Sequence, residues 1–109
     1  MKLIVGTAQF GMKYGLSNEN AVNLANIKNI LSLAESANID TLDTAMSYGD
    51  SEAKLGISDL SKFKIITKLP SFLDVKNDIN DWVQKCVNSS LKKLRVKHLD
   101  GILIHNVND

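Results

Sequence analysis

Residues 63–104 read FKIITKLPSFLDVKNDINDWVQKCVNSSLKKLRVKHLDGILI, and this stretch decides the fold. Short apolar runs at residues 63–68 and 99–104 flank a segment whose apolar residues recur every three or four positions from Ile79 to Leu94. That spacing is typical of one face of an α-helix, and the flanking runs are typical of strands covered on both faces. A strand, a helix and a strand in this order predict a right-handed βαβ unit with parallel strands.

The same alternation extends back to the N-terminus. One short run covers residues 3–5 and another covers residues 39–44. Between them, residues 24–34 carry apolar side chains at helical spacing, with Asn20 as the predicted N-cap and Asn38 as the predicted stop. The sequence therefore predicts four parallel strands joined by helices.

A short helix is predicted after the second strand, beginning at Asp50 or Ser51 and ending near Gly56. The whole α/β pattern fills residues 1–109 as a single domain with four β/α units. A (β/α)₈ barrel needs about 250 residues, so four units cannot close one. The chain is either an open four-stranded parallel sheet or half of a larger barrel.

Composition excludes several classes of partner. Thirteen basic and twelve acidic residues give a net charge of +1, and Arg95 is the single arginine, so neither nucleic acid nor an anionic membrane is an expected partner. Cys86 is the single cysteine, which excludes an internal disulfide and favours a reducing, cytoplasmic setting. Two histidines without ligand spacing predict no metal site. No apolar segment is long enough for a signal peptide or a membrane span.

Chemically capable side chains follow all but the first of the predicted strands. The carboxyl ends of parallel strands share one rim, where sites are built. We expect four side chains to meet there: Asp43, Tyr48, Lys68 and His105. Each has an ordinary structural interpretation, because Asp43 could cap a turn, Lys68 could be solvated, His105 could lie near the core and Tyr48 could be a surface residue. Their coincidence on one rim favours a functional site.

These residue types support a defined acid chemistry. A phenol is a weak acid, and a neighbouring ammonium group strengthens it by favouring the phenolate. A carboxylate beside the ammonium group keeps it charged and in place. Asp43, Lys68 and Tyr48 would then act as a tuned general acid, while His105 would orient a substrate oxygen. An acid that protonates a carbonyl needs a hydride donor, which proteins take from a nicotinamide or a flavin.

The stretch DTAMSYGDSE at residues 43–52 resembles the D-T-A-x-x-Y-G-x-S-E signature of the aldo-keto reductase family. Residues 6–11 resemble the first strand and loop of that family, residues 66–68 resemble the end of its third strand, and residues 99–106 resemble its fourth strand. The resemblance covers nearly the whole chain, in order and with similar spacing.

The resemblance implies a (β/α)₈ TIM-barrel enzyme, present here as its first four units, that reduces aldehydes or ketones with NADPH or NADH and without metal. Tyr48 would be the proton donor, Lys68 and Asp43 would tune it, and His105 would orient the carbonyl. The resemblance also implies a set of residues near the nicotinamide ribose: Gly6, Thr7 and Asp43.

One departure from the family leaves an alternative open. The family binds the cofactor pyrophosphate mainly through its last strands, which have no counterpart here. A half barrel also leaves its fourth strand as an unpaired edge. The alternative is therefore a non-catalytic half barrel that acts through self-association, as a homodimer, or by docking to a complementary half. A Schiff-base enzyme at Lys68 is disfavoured, because Asp43 would keep that amine protonated.

Three remaining residues have structural interpretations. Cys86 and Trp82 lie on the apolar stripe of the long helix and are predicted to be buried, with an inert thiol. His98 precedes the fourth strand on the opposite rim and is predicted to be exposed.

Overall fold

The computed structural model describes residues 2–11, 23–76 and 78–106. Its elements, in chain order, are β1 (Val5–Gly6), α1 (Ala8–Gly11), α2 (Leu24–Ser36), β2 (Thr41–Asp43), α3 (Ser51–Leu55), β3 (Lys64–Leu69), α4 (Ile79–Leu94) and β4 (Gly101–Ile104). The four strands form one sheet in the order β1-β2-β3-β4, and each neighbouring pair is parallel. The predicted succession of parallel β/α units is confirmed.

The strands are shorter than predicted at their amino ends, for a reason visible at β2. The backbone N–H of Ile39 donates to Ala34 O at 2.8 Å, which closes the end of α2 and removes that group from the sheet. Strand pairing begins only where Lys64 N donates to Asp40 O at 2.7 Å. Asn38 has φ 60°, the left-handed backbone predicted for the stop of this helix.

The N-cap of α2 is Asn23, whose side chain accepts from Asn26 N at 2.9 Å. This differs from the predicted cap, Asn20, which lies outside the described residues. The start of α2 is therefore three residues later than the predicted cap would place it.

The core lies between the helices and one face of the sheet. Its central members are Ile27 and Leu31 of α2, Leu42 of β2 and Ile65 of β3, all 5% exposed or less. Each such side chain contributes roughly 1.5–3 kcal/mol when it is removed from water. The remaining buried members of the cluster are Phe10, Leu55, Leu60 and Leu94.

The opposite face of the sheet is open, and so is the edge at β4. Ile102, Leu103 and Ile104 are 40%, 50% and 55% exposed, although their apolar run is typical of a strand covered on both faces. The reason is that β4 is an edge strand, paired only with β3 in the described residues. The predicted unpaired fourth strand is confirmed.

Helix α4 begins and ends where the apolar periodicity predicts. Asp78 caps it by accepting from Asn80 N and Asp81 N at 2.9 and 3.4 Å. Its predicted stripe is buried only at Ser90 and Leu94.

Two residues of that stripe differ from prediction. Trp82 is half-buried rather than part of the core, because the first turns of α4 contact the loop at Phe72, with a ring-centroid distance of 6.3 Å. Cys86 is also half-buried.

His98 is exposed, as predicted, and lies 3.7 Å from a carboxylate oxygen of Asp100. Within the described ranges, none of the helices combines the length and apolar character needed to cross a membrane.

Candidate active site

Lys68 is the centre of the site at the carboxyl rim of the sheet. Gly6 and Asp43 are in register on β1 and β2, and Asp43 is in register with Ile66 on β3, two residues before Lys68. Because side chains alternate along a strand, Asp43 and Lys68 share the face of the sheet opposite the helices. Lys68 Nζ donates to Asp43 Oδ1 at 2.7 Å and to Thr44 O at 2.9 Å.

The same ammonium group reaches Tyr48. Lys68 Nζ lies 3.4 Å from Tyr48 Oη and 5.0 Å from the centre of the tyrosine ring. The Lys68 side chain is 14% exposed and that of Asp43 is 36% exposed, so the pair is shielded on one side and open on the other. The site therefore places a cation, held by a carboxylate, against a phenol oxygen.

Backbone contacts fix the loop that carries Tyr48. Met46 N donates to Lys68 O at 3.1 Å, which ties the loop to β3. Gly49 has φ 54°, and a Cβ built there would lie 2.1 Å from Gly11 O. A Cβ at Gly11 would lie 2.0 Å from Tyr48 O. The last residue of α1 and the Tyr48 loop therefore pack backbone against backbone, which only glycine permits.

His105 completes the group from β4. Lys68 is in register with Leu103, so His105, two residues further on, lies on the same face of the sheet. Its ring centroid lies 5.5 Å from that of Tyr48, with an interplanar angle of 88°. The structure thus brings together the four residues singled out from the sequence: Asp43, Tyr48, Lys68 and His105.

The three residues expected near a nicotinamide ribose are placed differently from one another. Gly6 is exposed, and a Cβ built there would meet nothing within 4 Å. Asp43 keeps an accessible carboxylate beside it. Thr7 is fully buried, and its hydroxyl donates to Asp43 O at 3.0 Å and lies 3.1 Å from Ser51 Oγ. Gly6 and Asp43 therefore face the open side, whereas the Thr7 side chain lies under α3.

Sequence reasoning missed a group of buried polar residues beneath this rim. They are Thr44, Ser51, Glu52, Thr67 and Ser90, each 4% exposed or less. The available signal was a threonine beside a site residue on three strands, at Thr7, Thr44 and Thr67.

A cavity of about 580 Å³ lies at the opposite end of the sheet, between the loops around Leu60 and Val96, and it includes none of the four site residues. No group of three or more His, Cys, Asp or Glu among the described residues is arranged to hold a metal ion.

Four parallel strands with these polar side chains at their carboxyl rim define an α/β protein of the half-barrel type. The sequence matches the Aldo/keto reductase family over residues 2–109. The chain belongs to the aldo/keto reductase family.

Individual relatives agree with this assignment. Over 108 residues the chain is 33% identical to a protein named oxidoreductase sirO from Leptosphaeria maculans. It superposes with a TM-score of 0.79 and 26% identity on the crystal structure of PA4992 from Pseudomonas aeruginosa, a protein assigned to the aldo-keto reductases. A second P. aeruginosa structure with the same assignment gives a TM-score of 0.77 at 24% identity, which supports the fold alone.

The chain spans only part of these relatives. It covers 32% of the length of the curated oxidoreductase, and 42% and 41% of the two solved chains. The matched portion of this chain is 94% to 95%, so its four parallel strands correspond to the first half of an aldo-keto reductase TIM barrel.

Proposed function

We propose that this chain supplies the proton-transfer side of a reductase that converts aldehyde or ketone carbonyls to alcohols with NADPH or NADH. The observation that carries the proposal is the position of Lys68 Nζ, 2.7 Å from Asp43 Oδ1 and 3.4 Å from Tyr48 Oη. An ammonium group in that place can balance the negative charge that develops on the phenol oxygen during proton transfer. Membership of the aldo/keto reductase family supports oxidoreductase chemistry.

Reduction of a carbonyl adds a hydride to carbon and a proton to oxygen. A bound reduced nicotinamide supplies the hydride. The Tyr48 hydroxyl donates the proton, and the ammonium group of Lys68 stabilises the phenolate that remains. Asp43 holds Lys68 in place. His105 donates a hydrogen bond to the carbonyl oxygen and orients it toward Tyr48.

The described residues fit the nicotinamide end of such a cofactor. Gly6 would face the nicotinamide end, since it is exposed and a Cβ built there would meet nothing within 4 Å. The 36% exposed side chain of Asp43 has one oxygen directed to Lys68, which leaves the other for a ribose hydroxyl. The Thr7 hydroxyl is turned toward Ser51, so its contribution to this end of the site is to shape the strand end rather than to contact the cofactor.

The decisive variant is Tyr48→Phe, which removes the proton donor and keeps the ring that packs against His105. We expect NADPH-dependent reduction of a simple aldehyde to fall by about 10² to 10⁴-fold, the usual contribution of a general acid. NADPH affinity, measured by fluorescence titration, stays close to that of the unaltered chain. Lys62→Met, at an exposed lysine paired with Glu35, is the control and retains activity. Unchanged turnover in Tyr48→Phe would rule out the assignment of the proton donor.

A second function is favoured by the exposed edges of the sheet. Leu3 and Ile4, beside β1, are 55% and 50% exposed, and the three apolar residues of β4 are 40% to 55% exposed. We propose that these edges associate with another half barrel of the same architecture, either a second copy or a complementary half. In this alternative the chain acts through assembly and performs no reduction by itself.

A further inference from the structure

Three threonines form a row on the helix side of the sheet, directly beneath the site. They follow residues of β1, β2 and β3 that are aligned in register: Gly6, Asp43 and Ile66. The backbone bonds Thr7 N to Asp43 O at 3.0 Å and Thr44 N to Ile66 O at 2.8 Å continue that alignment. Thr7, Thr44 and Thr67 are all fully buried. We refer to these three residues as the threonine row.

Two consecutive residues at the start of α3 bind the whole row. Ser51 Oγ lies 3.1 Å from the hydroxyls of both Thr7 and Thr44. Glu52 accepts a hydrogen bond from Thr67 Oγ1 at 2.9 Å. The same carboxylate accepts from Ser90 Oγ of α4 at 2.8 and 3.0 Å. The pair therefore joins three strand ends and two helices.

Glu52 is an unusual residue for this place. It is 3% exposed, and no Lys, Arg or His nitrogen in the described ranges lies within 4.0 Å of its carboxylate. A carboxyl group is costly to bury unless its oxygens are hydrogen-bonded, and here the hydroxyls of Thr67 and Ser90 supply those bonds. An apolar side chain could fill the same space, so general packing does not account for a carboxylate.

Its connections lead to both partners of the proton-transfer pair. Thr67 precedes Lys68 on β3, so the bond from Thr67 to Glu52 anchors that strand end from the face opposite the Lys68 side chain. On the other branch, Ser51 N donates to Tyr48 O at 3.0 Å, one residue before Glu52. We propose that Glu52 is a positioning residue that sets the distance between Lys68 Nζ and Tyr48 Oη. This inference rests on the proposed function for its consequence in turnover, but its geometric claim does not depend on turnover.

The test compares Glu52→Gln with Ser90→Ala in the full chain. A glutamine keeps the shape of the side chain and replaces one acceptor oxygen with a donor, while Ser90→Ala removes one of the two hydroxyl donors and leaves the carboxylate. The first readout is the nuclear Overhauser effect between the Lys68 ε-methylene and the Tyr48 ring protons, without cofactor or substrate. We expect it to weaken in both variants. The second readout is turnover, where we expect kcat to fall about tenfold with little change in KM.

The control is Glu35→Gln, an exposed carboxylate whose removal breaks only the ion pair with Lys62. It leaves both readouts unchanged. If Glu52→Gln does not fold, Ser90→Ala decides alone. An unchanged Lys68–Tyr48 contact in the folded variants overturns the inference, and so does loss of the fold in both, which would assign the network to stability. If the contact weakens as expected but the unaltered chain reduces no carbonyl, the positioning role stands and the proposed function fails.

Discussion

Lys68 shows how one residue can serve three purposes at once. Its ammonium group binds the carboxylate of Asp43, a backbone carbonyl at Thr44 and the hydroxyl of Tyr48. The aliphatic part of the side chain is largely buried, so the charge is held at the rim by the packing of its own chain. The end of β3 therefore holds the cation that contacts Asp43 and Tyr48.

Cys86 gives a prediction about reactivity. Burial raises the pKa of its thiol, and the nearby negative charge of Glu52 raises it further. Because the thiolate is the nucleophile, iodoacetamide at pH 8.5 should alkylate the folded chain about five to ten times more slowly than the chain unfolded in urea. Equal rates would show that Cys86 is not shielded.

The raised pKa of Cys86 also makes the free energy of unfolding depend on pH. The unfolded thiol loses its proton at lower pH than the folded thiol. The contribution of Cys86 to stability is therefore complete below the ordinary thiol pKa and declines as the pH rises through the folded value. A denaturant series above pH 8 detects the decline as a lower unfolding midpoint, and Cys86→Ser removes it.

The end of α1 at Gly11 packs directly against the loop that carries Tyr48 and Gly49. The Cβ of an alanine at Gly11 would lie 2.0 Å from Tyr48 O, and backbone cannot yield as a flexible side chain can. We expect Gly11→Ala to destabilise the fold by about 1–3 kcal/mol, a magnitude typical of overpacking, and to displace the Tyr48 loop. Thermal unfolding measures the first effect, and the distance between Tyr48 and His105 rings by nuclear Overhauser effects measures the second.

Gly6→Ala is the matched control for that substitution. It makes the same chemical change at a position where a Cβ meets nothing within 4 Å. Its effect on the unfolding midpoint should be small. If Gly11→Ala is as well tolerated as Gly6→Ala, the close packing of α1 against the Tyr48 loop does not hold Tyr48 in place.

At the level of elements, local pattern predicted what local interactions determine. The limits of α4 followed from its long apolar periodicity, and Asn38 ended α2 because its backbone is left-handed. The start of β2 was predicted two residues early, because a run of apolar residues does not reveal that Ile39 N closes a helix. Trp82 was predicted to be buried and is half-buried, because periodicity shows which side of a helix is apolar and not that this side contacts the loop at Phe72.

The site was accessible to sequence reasoning only in part. Asp43, Tyr48, Lys68 and His105 are at strand ends or in the loop that follows, and the parallel topology brings strand ends to one rim. The network beneath them was not predicted, because its hydrogen bonds join residues 7 to 44 positions apart on different strands and helices. The threonines beside the strand ends were visible in the sequence, but no periodic pattern showed which residues they would contact.

At the scale of the whole molecule, the chain carries the residues proposed for proton transfer but only part of the barrel to which such a site belongs. The residues proposed to transfer the proton are within the described chain, while its sheet is open at both β1 and β4. Relatives of this family continue the chain well beyond the matched region, since only 42% of the PA4992 chain is covered. We expect a half barrel with both sheet edges exposed either to associate with another half barrel through those edges or to lack catalytic activity.

The edge at β4 gives the last prediction. Leu103 is 50% exposed and lies in register with Lys68, so a partner strand added at this edge would cover it. We expect the chain to form dimers at micromolar concentration, measured as molar mass by light scattering after size exclusion. Leu103→Lys should weaken this association about tenfold or more, because a buried lysine without a partner is costly. Leu33→Lys makes the same change on α2, where the leucine is 70% exposed and away from both edges, and leaves the mass unchanged. A folded, strictly monomeric chain would contradict assembly through this edge, and loss of the dimer in both variants would place the contact elsewhere. If Leu103→Lys forms the dimer as well as the unaltered chain does, the contact would be sought at the β1 edge, where Leu3 and Ile4 are 55% and 50% exposed.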